Sequence, residues 1–490
     1  MANSHFTNAA GSVSEHKVWS NVEKIAFRFA FVFFVLLVIP FQAEWYQRLL
    51  SPETFYDVLS TIAGGSRFGL IQIPTESGRW GVASYASWGA AALIALVVAA
   101  IWTILSRNSK RGEYNVLYYW LRVIVRYRIA LGLIAFGFIK FFPMQMPFPS
   151  ISNLNTEFGD YAPFKLYWQI VGVSFRYESF LGFLEIAAGA LLFFRRTIVL
   201  GAVINAGVLF NIAHANLGYD GAVHVYSSYF VLLSLFLLIP YLPNIWKLFI
   251  KGETVTPHYY TPDFGKKPIG YVHVLIKTAV IVLYLGVYGY FRYDRFYNQG
   301  ILKEPVVPGL SGAAGHYNVS SFVLNGDTFP YSPHDSVRWH DAVFERYSTL
   351  VYKVKKDIDI AVGNGTPSVG DILKDYELTG RAGGKTYLYY EVDSANRKLY
   401  LVDKNQKFSK ELRKRLDKES SIGLKELYGT PTGDSINILL WSYERPNKET
   451  IALSGKTVHK DSITVVLNRQ QEYYLTGKEW YMENNKYRYQ

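Results

Sequence analysis

Residues 176–240 read RYESFLGFLEIAAGALLFF, then RR, then TIVLGAVINAGVLFNIAHANLGYDGAVHVYSSYFVLLSLFLLIP. The stretch contains three apolar runs, which are separated by the paired Arg195 and Arg196 and by a polar turn around Tyr219 and Asp220. Runs of this kind are typical of helices that cross a lipid bilayer. The stretch therefore predicts three consecutive membrane spans.

Polar side chains interrupt these apolar runs or end them, namely Glu185, Asn205, Asn211, His214 and Asn216. At membrane depth such groups cost a few kcal/mol each unless they face the interior of a helix bundle or a wet cavity. We therefore expect a polar site among the spans that this stretch forms.

Four further apolar runs bring the predicted number of spans to seven. They cover residues 25–41, 87–105, 129–143 and 273–291. Residues 114–128 alternate aromatic, aliphatic and arginine side chains, as an interfacial amphipathic helix does. The apolar piece at 166–175 is too short to cross a bilayer and predicts a re-entrant or interfacial helix.

Basic residues cluster in three loops, at 106–112, 195–196 and 247–267. By the positive-inside rule these loops are cytoplasmic, and with seven spans they alternate correctly. The prediction is a multi-pass protein of a bacterial inner membrane, with a cytoplasmic N-terminus and an extracytoplasmic C-terminal domain.

The composition of the 490 residues agrees with a membrane protein and excludes several classes of chemistry. Half of the residues are hydrophobic and 18% are charged, with a formal net charge of +12. Because much of the basic excess flanks apolar segments, nucleic acid is not an expected partner. The chain has no cysteine, which excludes an Fe–S cluster, and without a CxxCH motif no covalent haem is expected.

After residue 292 the sequence changes from apolar runs to short alternating segments. Segments such as KTYLYYEVD (385–393) and SITVVLN (462–468) alternate apolar and polar residues between turns, which predicts antiparallel strands. The expected fold is an α-helical membrane bundle of about seven spans, followed by an all-β domain that forms a sandwich or a small barrel. The predicted segments are a cytoplasmic tail at 1–24, two N-terminal spans at 25–112, a helical bundle at 113–292, a linker at 293–315 and a β domain at 316–490.

Glu185, His214 and Asp220 are the candidate catalytic residues. Glu185 lies in the middle of the fourth predicted span, beside Ala187, Ala188 and Gly189, which would let a neighbouring helix approach closely. It either makes a hydrogen bond that holds two helices together or acts as a carboxylate that handles protons or orients a ligand.

Candidate ligand-binding residues surround this group in the sequence. Lys140, at the end of the third predicted span, either snorkels to the interface or pairs with Glu185 or an anionic headgroup. No metal site is expected, because the spacing of His214, Asp220 and His224 matches no zinc or di-iron pattern. Arg195 and Arg196 either set the topology or bind a lipid phosphate. The remaining ligand-binding candidates are Gln145, Asn211, Asn216, Tyr219, His224, Tyr226 and Ser227.

Four segments of the chain resemble the DoxX-like membrane family, namely GFIKFFPMQMPFP, FGDYAPFKLYWQIVG, FLGFLEIAAGALLFFRRTIVLGA and NIAHANLGYDGAVHVYSSYF. They resemble most closely its large members, which also carry a β-rich tail. His224 stands where those members usually have lysine, and 159–163 reads GDYAP in place of Gly-Asp-Ser-Ser-Pro. The matching positions are Lys140, Gln145, Glu185, Arg195, Arg196, Asn211, Asn216, Tyr219, Asp220, Tyr226 and Ser227.

The resemblance implies an association with membrane redox chemistry, since the family is named for a subunit of a thiosulfate:quinone oxidoreductase. The first hypothesis is a redox-associated subunit that binds a quinone or isoprenoid lipid near the outer leaflet, with a membrane or periplasmic redox protein as its partner. The second is a non-catalytic binder of membrane lipid or cargo whose β domain engages a protein. A third, by architectural analogy, is an enzyme resembling the vitamin K-dependent carboxylases.

Overall fold

The computed structural model divides the chain into two compact units, one helical and one that holds the strands. The helical unit comprises Met1–Phe138 and Phe183–Tyr290, and the C-terminal unit comprises Ile139–Gly182 and Phe291–Gln490. Residues 139–182, which the sequence placed in the bundle at 113–292, thus belong to the unit with the strands. The structure describes residues 19–65, 71, 73, 85–109, 113–256, 267–357, 359–365, 367, 370–406, 408–418, 423–472, 474, 480–483 and 486–489. Residues 1–18 of the predicted tail at 1–24 and parts of the basic loops lie outside these residues, and the first helix already begins at Asn21.

Helices occupy all seven predicted spans, although the seven-span count itself is not confirmed. Within the described residues, four helical segments are long and apolar enough to cross a membrane, or five if the bent pair α1 and α2 forms one span. The helices are α1 (Asn21–Val38), α2 (Ala43–Leu50), α3 (Phe55–Gly64), α4 (Ala86–Leu105), α5 (Asn115–Phe141), α6 (Ile151–Leu154), α7 (Pro163–Gly172), α8 (Phe175–Leu191), α9 (Ile198–Gly218), α10 (His224–Leu238), α11 (Leu242–Phe249), α12 (Lys267–Ile281) and α13 (Tyr288–Tyr297). A π-helical turn at Val282–Val287 joins the last two.

Helix α5 unites two elements that the sequence analysis kept apart. The predicted interfacial helix at 114–128 and the third span form one helix of 27 residues, because no glycine or proline interrupts the chain between them. Its arginines lie between Arg122 and Arg128, and the part of the helix after Arg128 is apolar apart from Lys140 in the last turn.

Small residues let the helices of this unit approach closely. A Cβ atom added to Gly189 would lie 2.9 Å from the carbonyl oxygen of Ala130, and one added to Gly132 would lie 2.5 Å from Cζ of Phe230. The close approach predicted for the small residues around Gly189 is thus confirmed. Helix α5 packs against α8 and α10 through these positions.

The strands of the C-terminal unit form an eight-stranded antiparallel barrel. Strands β1 and β3 to β9 pair in chain order, and the barrel closes where β1 pairs with β9. A short β2 forms a hairpin with β1, and β10 and β11 form a separate hairpin. The strands are β1 (Gly315–Leu324), β2 (Asp327–Thr328), β3 (Asp341–Phe344), β4 (Thr349–Lys353), β5 (Lys385–Asp393), β6 (Lys398–Asp403), β7 (Leu439–Glu444), β8 (Thr450–Lys456), β9 (Ser462–Arg469), β10 (Trp480–Glu483) and β11 (Lys486–Tyr489). Of the two expected all-β architectures, the barrel is the one observed.

Large apolar side chains fill the interior of the barrel. Tyr317, Phe322, Leu350, Tyr390 and Trp441 belong to one buried cluster contributed by strands around the barrel. Outside it, α14 (Lys410–Lys418), α15 (Leu424–Leu427) and α16 (Pro431–Ser435) form a polar helical insert, whose Leu416, Leu424 and Leu427 join Tyr400 and Val402 in a second cluster. The barrel is packed with side chains rather than hollow.

Residues 139–182 pack on the outer wall of this barrel. Ile151 packs against Val343, Val351 and Tyr387 of three neighbouring strands. Glu345, at the end of β3, accepts hydrogen bonds from the backbone N–H groups of Ile151 and Ser152, each at 2.8 Å. The segment that the sequence assigned to the bundle is therefore held by backbone and side-chain contacts within the C-terminal unit.

Candidate functional site

The structure separates the predicted site residues into two groups. Lys140 and Gln145 belong to the C-terminal unit, and the others belong to the helical unit. Of the candidate catalytic residues, Glu185 is only 2% exposed in α8. His214 is exposed, with its ring 4.3 Å from that of Phe210 and Nδ1 3.2 Å from the carbonyl oxygen of the same residue.

The polar turn between α9 and α10 is a tight connection with unusual backbone angles. Asp220 and Ala222 have φ values of 52° and 65°, and an alanine is strained in this left-handed region. The Asn216 carbonyl oxygen accepts a hydrogen bond from the Gly221 N–H at 2.8 Å, and its side-chain Nδ2 donates to the Ile212 carbonyl oxygen at 2.8 Å. Asn216 thus holds the helix end and turn together, while Asn211 and Tyr219 are exposed.

The first turns of α10 place the remaining candidates in different environments. His224 is fully buried, and neither ring nitrogen has a hydrogen-bond partner among the described residues. The Ser227 hydroxyl donates to the Val223 carbonyl oxygen at 3.0 Å. The Tyr226 hydroxyl accepts a hydrogen bond of 3.1 Å from Arg128. The Ser227 hydroxyl therefore forms its hydrogen bond within its own helix, whereas the Tyr226 hydroxyl bonds to a side chain of the neighbouring helix α5.

Lys140 and Gln145 lie near a buried carboxylate that the sequence analysis did not select. Lys140 is buried, and the backbone N–H groups of Gln145 and Met146 donate to Oε1 of Glu178 at 3.2 and 3.1 Å. Glu178 is fully buried. The sequence signal for Glu178 was its position near the start of an apolar run, because a carboxylate in such a place needs hydrogen-bond donors close by.

A cavity of about 620 Å³ lies in the helical unit. We call it the basic cavity. Three arginines contribute to its wall and face one carboxylate, Glu23, which accepts a hydrogen bond from the Ser20 backbone in a capping box. Its lining residues are Trp19, Glu23, Asn115, Tyr118, Tyr119, Arg122, Val123, Arg126, Arg195, Ile198, Leu237, Pro240, Tyr241, Pro243 and Asn244.

The arginines of the basic cavity are oriented by tyrosines. Arg195 donates to the Tyr119 hydroxyl at 2.7 Å, and Arg122 donates to the Tyr241 hydroxyl at 3.2 Å. Arg126 is only 6% exposed, and its Nε has no hydrogen-bond partner among the described residues. A buried guanidinium with an unused N–H group is a strong donor for an anion.

Four segments that are distant in the sequence meet at this cavity. They are the chain just before and within the first turn of α1, the start of α5, the start of α9, and the chain from the end of α10 into α11. Each of them borders a segment that the sequence analysis predicted to be cytoplasmic. Arg122 and Arg126 were noted only as part of an interfacial helix, although their spacing of four residues puts them on one helix face.

Arg195 and Arg196 are adjacent but differ in their surroundings. Arg195 lines the basic cavity, whereas Arg196 is exposed and does not. Glu185, His214 and Asp220 are not among its lining residues. Within the described ranges, no group of three or more histidine, aspartate and glutamate residues is placed to hold a metal ion.

Comparisons with known proteins give one partial relative. The chain is 36% identical over 91 residues to the uncharacterized protein YwoB of Bacillus subtilis (strain 168). The aligned part is 17% of this chain and 59% of that protein. No protein-family model matches the chain, and no solved structure matches it.

Proposed function

We propose that the chain is a DoxX-like, multi-pass inner-membrane protein that binds a lipid with an anionic phosphate headgroup in the basic cavity. The observation that carries this proposal is the buried Arg126, which shares the cavity wall with Arg122 and Arg195. A guanidinium pairs with phosphate through two parallel N–H groups, and a hydrogen bond to a charged group contributes about 1.5–3 kcal/mol.

The aromatic lining supports a lipid rather than a soluble anion. Trp19, Tyr118, Tyr119 and Tyr241 surround the arginines, and tryptophan and tyrosine favour the depth of the lipid headgroups. Basic pockets between helices at the cytoplasmic side are suited to anionic headgroups. The apolar helices next to the cavity would accommodate the acyl or isoprenoid chains.

The test is the binding of defined lipids to the full chain in detergent, measured by native mass spectrometry. Phosphatidylglycerol and a polyprenyl monophosphate are the anionic probes, and diacylglycerol and a quinone are the neutral ones. We expect the anionic probes to bind at least about tenfold more tightly, a difference of about 1.4 kcal/mol. The anionic probe that binds more tightly would show whether the cavity prefers a glycerophospholipid or a polyprenyl phosphate.

Arg126→Gln and Arg196→Gln are the matched variants for this test. Arg126→Gln should weaken phosphate-lipid binding about tenfold or more, because it removes a buried donor. Arg196→Gln removes the same charge from an exposed position beside the cavity and should leave binding unchanged. Equal losses in both variants would mean that only general surface charge attracts the lipid, which would overturn the site.

Binding of a quinone or isoprenoid lipid near the outer leaflet, with Glu185 or His214 handling protons, is the second proposal. The observation that favours it is the burial of Glu185 in an apolar helix, where an ionisable side chain marks function by default. Preferential binding of the quinone that is lost in Glu185→Gln and kept in Arg126→Gln would favour this second function over the first.

The orientation that we propose puts the basic cavity at the cytoplasmic side. Because the chain has no cysteine, single cysteines introduced at the exposed Asn108 and Ser454 report the two sides of the membrane. We expect Ser454→Cys to react with an impermeant reagent in intact spheroplasts and Asn108→Cys to react only after lysis. The reverse pattern would place the C-terminal domain in the cytoplasm.

A further inference from the structure

A second cavity, of about 460 Å³, lies within the C-terminal unit beside the barrel. We call it the acidic cavity. Its wall includes four glutamates, Glu304, Glu345, Glu377 and Glu472, and two arginines. Its volume is within the range of small-molecule sites. It is independent of the basic cavity and of the function proposed for it.

Three of the four glutamates already have partners. Glu345 accepts the two backbone N–H groups of residues 151 and 152. Glu377 pairs through Oε1 with Lys404. Glu472 accepts from the His316 ring at 2.5 Å and from the Tyr474 hydroxyl. Glu304 makes no such contact in the part of the chain that the structure describes, and its burial raises its pKa to about 7.

Two basic side chains on the wall, His316 and Arg469, have partners of their own. Arg469 donates to the Ala314 carbonyl oxygen at 2.8 Å and to the Tyr317 hydroxyl at 2.9 Å, so that its guanidinium is used by the fold. Arg346 is exposed to solvent. When it is ionised, Glu304 is therefore a carboxylate on the cavity wall without a hydrogen-bond or ion-pair partner among the described residues, and such a group favours a cationic ligand.

Unused hydrogen-bonding groups on the same wall indicate what else the ligand carries. Asn153 is 3% exposed, and neither its side-chain oxygen nor its nitrogen has a hydrogen-bond partner among the described residues. The Tyr376 hydroxyl is equally buried and equally without a partner there. Buried polar groups are costly when unpaired. A ligand with several hydroxyl groups would supply donors and acceptors to both.

We propose that the acidic cavity binds a small polyhydroxylated organic cation, with Glu304 facing its ammonium group and Asn153 and Tyr376 bonding its hydroxyl groups. The face of the Tyr376 ring is already occupied by Lys165, whose Nζ lies 3.5 Å from the ring centroid, so the hydroxyl group and not the ring is offered to the ligand. An amino sugar or an amino polyol has this combination of charge and hydroxyl groups.

The test compares a cationic polyol with its neutral counterpart on the full chain in detergent. N-Methylglucamine and sorbitol differ mainly in the ammonium group, and titration calorimetry at pH 8 measures both while Glu304 is ionised. We expect N-methylglucamine to bind at least about tenfold more tightly than sorbitol. Equal binding of the two compounds would show a site for neutral polyols. The absence of N-methylglucamine binding below about 10 mM would show that there is no cation site. Either result overturns the proposal.

Two isosteric variants assign the effect to the cavity. Glu304→Gln should remove the tenfold preference for the cation, and it keeps the size of the side chain. Glu444→Gln is the control, because this glutamate is exposed at the end of β7 and does not line the cavity. Loss of the preference in both variants, or in neither, would overturn the role of Glu304. Asn153→Ala should weaken N-methylglucamine and sorbitol by the same factor, since its amide bonds hydroxyl groups.

Discussion

The basic cavity of the helical unit and the acidic cavity of the C-terminal unit are similar in size but use their charges differently. In the basic cavity, Arg122 and Arg195 donate to tyrosine hydroxyls, and Nε of Arg126 has no hydrogen-bond partner among the described residues. In the acidic cavity, Glu345 and Glu377 are tied to a backbone segment and to a lysine. The number of charges on a wall is therefore a poor measure of ligand binding. What matters is how many of the charged side chains are already paired with other groups of the protein.

This difference extends to the way each unit is held together. The helical unit relies on close approach between helices, as at Gly132 and Gly189. The C-terminal unit buries ion pairs instead, and in the pair between Lys374 and Asp371 both side chains are fully buried. Removing one charged side chain should consequently cost more stability in the C-terminal unit than in the helical unit.

The largest effect is expected from Lys404→Met, which leaves Glu377 in the acidic cavity wall without its partner. Both side chains of this pair are almost completely buried, and breaking a buried pair costs about 3–5 kcal/mol. The measurement is guanidinium unfolding of the full chain in detergent, followed by the strand signal in circular dichroism. Arg126→Gln in the basic cavity should cost less than about 1 kcal/mol.

A double variant shows whether the cost of Lys404→Met is that of an unpaired charge. Lys404→Met with Glu377→Leu replaces the buried pair by apolar side chains, which is often neutral or stabilising. We expect it to recover most of the lost stability. If the double variant is as unstable as the single one, packing rather than charge explains the loss, and the contrast between the two cavities fails.

The next effect is a dependence of stability on pH that Glu304 introduces. Its pKa is raised to about 7 in the folded chain, from an ordinary value of 4.5. The folded state therefore holds this proton more tightly, so the stabilisation is complete below about pH 4.5 and is lost as the pH rises through 7. Over that interval the loss approaches about 3 kcal/mol. Lys374 opposes the shift, and Glu377 adds to it.

Glu304→Gln isolates this contribution from the other titrating groups. The difference in unfolding free energy between the natural chain and this variant should change by about 3 kcal/mol between pH 4.5 and pH 8, with the natural chain favoured at the acidic end. The corresponding difference in unfolding free energy between the natural chain and Arg195→Gln, a variant in the basic cavity, should not change with pH. A pH-independent difference for Glu304→Gln would show that Glu304 is solvated in the folded chain.

The sequence predicted the elements well but not their assembly. Strand β5 coincides with the predicted 385–393 segment, which has nine residues and is rich in tyrosine, whereas β3 has four residues and gives no periodic signal. Residues 139–182 looked like part of the bundle because their neighbours on both sides are apolar. Their bonds to Glu345, almost two hundred positions away, cannot be inferred from local pattern.

The candidate site shows the same limit. Arg195 was predicted as a lipid-phosphate or topogenic residue, and its place in a cavity with Arg122 and Arg126 depends on how α5, α9 and α10 pack. Glu185 was selected as a polar residue within an apolar run, and Asp220 as part of the polar turn between two such runs. The sequence pattern identifies such residues as candidates. It does not give the distances between them, because those distances depend on tertiary packing.

A moderate effect on the helical unit is expected from Gly132→Ala. The added Cβ would lie 2.5 Å from the Phe230 ring, and such overpacking typically costs about 1–3 kcal/mol. Gly207→Ala is the control, because no heavy atom lies within 4 Å of the added Cβ there. Thermal unfolding in detergent should show a lower Tm for the first variant and an equal or higher Tm for the second. Equal Tm values would show that α5 and α10 do not depend on this contact.

The smallest effect separates geometry from charge in the basic cavity. Arg195→Lys keeps the positive charge but loses the planar group that donates to the Tyr119 hydroxyl and can pair with a phosphate through two N–H groups. We expect phosphatidylglycerol to bind about five to ten times more weakly, a change of about 1 kcal/mol. Arg196→Lys, at the exposed neighbouring position, should change binding by less than twofold. Because both variants keep the net charge, any general attraction between the protein and anionic lipid is the same in each. Weaker binding in Arg195→Lys alone would therefore show that the geometry of the guanidinium matters. Unchanged binding in both variants would show that the basic cavity attracts lipid only through its charge.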